Sequence, residues 1–107
     1  MHVFREPQQW ARGLIGFTSE QAKDGALFIL YNTAPWPVMI DEVDFPLDVY
    51  WMSEAGIVLE HAELFPGQGV HYPDVAAKFV LELPMGEQPR YRVGDFVEVP
   101  HDAPADS

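Results

Sequence analysis

Apolar and polar residues alternate in short bursts along this chain, and only one stretch repeats at helical spacing. The clearest period-two pattern covers residues 77–83. Ala77, Phe79, Leu81 and Leu83 mark an inward face, Lys78 and Glu82 an outward one, and Val80 is the exception. Residues 47–52 alternate too, with Leu47, Val49 and Trp51 on one side and Asp48, Tyr50 and Met52 on the other. Residues 26–31, ALFILY, are apolar on both faces and bounded by turn residues, which predicts a buried central strand. Weaker strand signals lie at 37–40, 57–64 and 91–99, the last interrupted at Gly94-Asp95. Ser53-Glu54-Ala55-Gly56 predicts a hairpin turn, with Gly56 free to take positive φ.

The helical spacing falls at residues 6–15. Pro7 suits a first helical position, where its missing N–H costs nothing. Trp10 with Leu14 and Ala11 with Ile15 are i,i+4 pairs on one face, and Gly13 and Gly16 weaken and then end the segment. Thr18 and Gln21 stand at capping-box spacing and predict a further turn of helix over 18–23. Residues 65–74 read as an irregular loop. The pattern predicts a mainly β fold of about six to eight strands with one short N-terminal helix. Its form is a compact β-sandwich or partly open, jelly-roll-like barrel. The domain spans residues 1–100, and 101–107 form a flexible acidic tail.

Composition narrows the function more than the fold. Ten Pro and eight Gly in 107 residues fit one domain of short elements and many turns. There is no Cys, so disulfides, thiolate zinc sites and cysteine nucleophiles are excluded. The start carries no apolar core of signal-peptide length, and the longest apolar run, 25–31, is too short to span a bilayer. A cytoplasmic location is expected. The net charge is −11, and between Lys23 and Lys78 nine Asp or Glu occur without one Lys or Arg. Phosphate backbones and anionic bilayers need cationic contacts, so neither nucleic acid nor membrane is an expected partner.

The candidate chemistry is sparse. Ser19, Ser53 and Ser107 are the only serines, and none sits in a nucleophile elbow. Asp41, Glu42, Asp44 and Asp48 offer four carboxylates within eight residues, a candidate hard-cation turn without the EF-hand pattern. Asp48 stands apart: it follows Pro46-Leu47 within an otherwise apolar strand and is expected to accept the backbone hydrogen bonds that a buried carboxylate requires. His61, with Glu60, Glu63, His71 and Asp74, holds metal-ligand types, but Glu60 and His61 point to opposite faces of a strand. Among the aromatics, Trp51 and Phe65 read as core, while Trp36 and Tyr72 stand beside prolines in loops and suit exposed contacts.

Five fragments, in order, carry a resemblance. They are Ala11-Arg12-Gly13-Leu14, Gly25-Ala26-Leu27-Phe28, Pro46-Leu47-Asp48, Phe79-Val80-Leu81-Glu82-Leu83 followed by Gly86, and Val93-Gly94-Asp95. Together they resemble the bacterial family called domain of unknown function 192, over about residues 5–99. The resemblance implies a compact, mostly β fold and no established activity. Where that family has Trp-Met-Lys-Asn-Thr, this chain has Met39, Ile40, Asp41, Glu42 and Val43, so the polar and basic part of the motif is replaced.

These readings together predict a non-catalytic interaction module without a cofactor, recognising a protein surface or a second copy of itself, as a component of a larger assembly does. The candidate contact residues are Trp36, Asp41, Glu42, Asp44, Asp48, His71 and Tyr72. The alternatives are a small-ligand or divalent-cation-binding protein and, third, a hydrolase.

Overall fold

The strand with the clearest alternation lies at the centre of the sheet. In the computed structural model, which describes residues 1–86 and 90–99, β5 (Ala77–Pro84) is flanked on both sides. It pairs antiparallel with β2 (Ala26–Ala34) and with β3 (Leu47–Met52). β4 (Val58–Leu64) closes the hairpin with β3, and β1 (His2–Phe4) lies parallel to β2, giving the order β1-β2-β5-β3-β4. The mainly β class with one short N-terminal helix is as the pattern implies. The described strands form one mixed five-stranded sheet that is not closed into a barrel.

The inner strands are buried on both faces. One face gathers Leu27, Ile29, Tyr50, Met52, Phe79 and Leu81 with Val58 of β4, under Val97. The other gathers Phe28, Leu30, Val49, Trp51 and Val80 under Leu14, Ile40 and Val43. Alternation along β5 therefore separates two cores rather than core from solvent. This corrects the outward placement of Glu82, which is 4% exposed, and explains Val80, the exception in the pattern.

Several predicted elements are shorter than expected. The helix α1 spans Pro7–Arg12. Gln9 Oε1 accepts the N–H groups of Arg5 (2.8 Å) and Glu6 (3.1 Å), and Gly13 stops the helix at φ 50. At residues 18–23 the capping-box bonds form, Thr18 N–H to Gln21 Oε1 at 2.9 Å and Gln21 N–H to Thr18 Oγ1 at 3.1 Å, but they close a turn rather than a helix. Residues 37–40 contribute a single bridge, Val38 to His71. Residues 91–99 are not a strand either. They cross the sheet as a cover with one bridge, Ile57 to Phe96, and Tyr91 and Val99 pack on the core beneath. Gly94 interrupts any ladder at φ 97. Phe65, expected in the core, is 48% exposed. The predicted tail, 101–107, lies outside the described residues.

Candidate functional site

The cover over the Trp51 face leaves a cavity of about 130 Å³. Its construction follows from local sequence. Gly13 ends α1 beside the ring of Phe28, where a Cβ would stand 3.3 Å away, so residues 10–15 lie close on the sheet. Residues 36–40 form the opposite wall. Phe28, Leu30, Val80 and Glu82 on the sheet form the floor.

The charged donor in the walls is the exposed Arg12, and the two indoles there have their N–H groups committed to carbonyls. Trp10 Nε1–H donates to the Phe4 carbonyl at 3.2 Å, and Trp36 Nε1–H donates to the Asn32 carbonyl at 2.9 Å. The two indoles lie 5.8 Å apart, and both have their N–H groups committed. Glu82 is the contrast. Its strand neighbours are Ala26 on β2 and Val49 on β3, neither of which can partner a carboxyl. The carboxyl makes no hydrogen bond or ion pair with a described residue, and it faces the cavity. Burial pushes its pKa from 4.5 up to about 8, because the charged form loses its water. At neutral pH it is mainly a neutral acid, able to donate one hydrogen bond and accept others.

The opposite face of the sheet carries a second polar group of a different kind. Asp48 is 3% exposed, and its Oδ1 accepts from His61 Nε2 at 2.7 Å and from Arg90 at 3.2 Å. The His61 ring stacks on Tyr50 at 4.6 Å, and the Tyr91 N–H donates to the Tyr50 hydroxyl at 3.2 Å. Arg90 also reaches Glu63 at 3.2 Å, and the nearby Asp48 charge raises its pKa. Asp48 is thus compensated, and its bonds tie residues 90–91 to the sheet. The need for donors read from the sequence is met, but the donors among the described residues are the His61 and Arg90 side chains rather than the backbone groups expected.

The remaining sequence candidates scatter. Trp36 stands in the cavity wall. Asp41 accepts the Gly69 N–H at 3.0 Å, and Glu42 and Asp44 are exposed. His71 Nε2–H donates to Glu60 Oε2 at 2.8 Å and packs on Trp51, while the Asp74 N–H donates to Glu60 Oε1 at 2.8 Å. That arrangement pins loop 65–74 to β4. Tyr72 is fully at the surface. His61 and His71 serve separate carboxylates, and among the described residues no three His, Asp or Glu side chains gather to hold a metal ion. The group that sequence reasoning missed is Glu82. Its signal was present: Val80, an apolar residue on the face assigned to solvent, implied that the face was covered.

The family model of domain of unknown function 192, described as Uncharacterized ACR, matches residues 1–99. Two solved structures share the fold, each with a TM-score of 0.71. One is a putative transcription regulator from Sinorhizobium meliloti 1021, 24% identical, covering 79% of this chain and 67% of its own. The other is a protein of unknown function from Novosphingobium aromaticivorans DSM 12444, 20% identical, covering 78% of this chain. The aligned region spans 61% of the length of that second protein. No curated protein matches the chain. No helix among the described residues is long and apolar enough to cross a membrane. Of the five fragments that carry the resemblance, three contribute to the cavity: Ala11 to Leu14, Phe28, and Val80 with Glu82.

Proposed function

We propose that this chain, which belongs to the domain of unknown function 192 family, is a binding module for a small molecule with an apolar body and one polar group. The observation that carries this reading is the Glu82 carboxyl, which has no partner among the described residues, on the floor of a cavity walled mainly by apolar and aromatic side chains. A buried carboxyl without partners destabilises the fold, and such groups in a cleft mark binding or active sites. The volume, about 130 Å³, is that of a cavity that admits a benzene-sized molecule. Binding is favoured over hydrolysis because Ser19 and Ser53 lie elsewhere and no second titratable side chain shares the cavity floor.

The test is a set of amide NMR spectra of the chain titrated with benzene-sized fragments, each bearing one polar group. Shift changes gathered at Gly13, Phe28, Trp36 and Val80 support the reading, as does their loss in Ala11→Phe, which fills the mouth from an exposed helix position. Changes spread over other surfaces, or none at about 10 mM fragment, a bound set by the weakest measurable affinities, would overturn it.

A second reading, contact with a partner protein or a second copy, is favoured by one observation. The Val38–His71 bridge sets the exposed Met39 and Val70 at adjoining positions, with exposed Tyr72 beyond. Sedimentation at several concentrations tests the self-association form, and Met39→Ser should abolish any dimer seen.

A further inference from the structure

The polar end of the ligand is itself specified by the cavity. The lining holds one buried ionisable side chain, Glu82, and both indole N–H groups are committed to carbonyls. A carboxylate or phosphate ligand would find no side-chain donor at the floor except the acid's own proton, and its cationic contact would be the exposed Arg12 in the wall. A ligand that brings donors finds an acceptor there. The aromatic residues Trp10, Trp36 and Phe28 line the cavity, and aromatic rings attract cations. The net charge of −11 raises the local concentration of small cations around the molecule.

We propose that the ligand is a small ammonium ion, a protonated primary or secondary amine whose apolar body is no larger than about a benzene ring, held by the Glu82 carboxylate against the indole walls. This rests on the small-molecule reading of the same cavity.

The charge balance makes the proposal specific. Before binding, Glu82 is mostly protonated at neutral pH because it is buried. The ammonium ion pairs with the carboxylate, so the carboxyl O–H bond breaks and its proton leaves to solvent. The amine keeps its own proton. At pH 7, with Glu82 pushed up to about 8, roughly 0.9 proton is released per amine bound. A neutral ligand of the same shape releases none. Few other charges face this carboxyl. From α1 and the residues after it, the one charged side chain in the lining is Arg12, and it is exposed. The flanking strands present Ala26 and Val49, and the wall at residues 36–43 places no titratable side chain in the lining. Burial alone sets the shift of Glu82, with no contribution from Arg12.

The test is calorimetric titration of the full chain at pH 7 in phosphate and in MOPS, whose ionisation enthalpies differ. The probes are benzylamine and n-butylamine against benzyl alcohol and n-butanol. The expected result is tighter binding of the amines, with about 0.9 proton released. In Glu82→Gln, which keeps the side chain's shape and removes its ability to ionise, amine affinity should fall at least about thirtyfold while alcohol affinity is kept. If the alcohols bind as tightly as the amines, or the amines bind without proton release, the ammonium assignment is wrong and the small-molecule reading survives. If neither class binds, both are overturned.

Discussion

Replacing Glu82 with Gln should make the protein more stable, and by an amount that depends on pH. The substitution keeps shape and volume and removes the ability to ionise. Glu82 has a folded pKa of about 8 against 4.5 for the free side chain. Because the folded value is raised, ionisation favours the unfolded chain. The penalty is absent below pH 4.5, grows between 4.5 and 8, and is constant above 8. At about 1.4 kcal/mol per pH unit, it amounts to roughly 1 kcal/mol at pH 5, about 3 at pH 7 and about 4 at pH 8. For a domain of this size, whose whole stability is about 5–15 kcal/mol, that is a large fraction. Gln and protonated Glu are both unpartnered polar groups in this position, so their shared desolvation nearly cancels. Urea unfolding of both proteins from pH 5 to 8, with m-values compared, isolates the effect because every other titration is common to the two. The stability difference should widen by about 3 kcal/mol across that range. Parallel stability curves would show that Glu82 is solvated or partnered, and the cavity would lose its one unusual group.

Other consequences follow from the packing and the loops. Trp51→Ala removes a fully buried ring whose Nε1–H donates to the Trp36 carbonyl at 2.8 Å. It should lower stability by roughly 3–5 kcal/mol, and a loss near zero in urea melts would contradict the double-faced core. Gly56→Ala should destabilise by about 2–3 kcal/mol, since the glycine has φ 84 and a Cβ would stand 2.7 Å from the Val97 carbonyl oxygen. An unchanged midpoint would mean that residues 94–97 do not close on the hairpin turn. Glu60→Gln weakens the clamp on His71 and Asp74, so the Asp74 amide should exchange faster by at least about tenfold with little change in global stability. Unchanged exchange would show that loop 65–74 is held by other contacts.

The fold was legible where local chemistry is decisive. Residues 47–52 form β3 with the bounds that alternation implies, and Ser53 to Gly56 form the turn, with the Gly56 N–H donating to the Ser53 carbonyl at 2.9 Å. Glycine and proline punctuation located the helix to within a few residues. The sequence was less legible where long-range cover matters. His2–Phe4 is only three residues, too short for periodicity, yet it forms the parallel edge strand by donating from His2 to the Gly25 carbonyl at 3.0 Å. Residues 91–99 have the composition of a strand, but Gly94 and the path across the Tyr50 face prevent a ladder. Glu82 was misplaced for a related reason. Period two distinguishes two faces and cannot say whether the second face meets water or another layer. Asp48, singled out in the sequence as a carboxylate in need of partners, does have them, and the acidic run at 41–44 stays mostly at the surface.

Glu82 is a nearly buried acid with no partner among the described residues, and it lines the proposed binding cavity. The most direct test of this is a ¹³C NMR titration of the Glu82 side-chain carboxyl in the free protein. The signal should move between acid and carboxylate positions with a midpoint near 8. A midpoint in the ordinary glutamate range, near 4.5, would show a hydrated carboxylate and contradict the account.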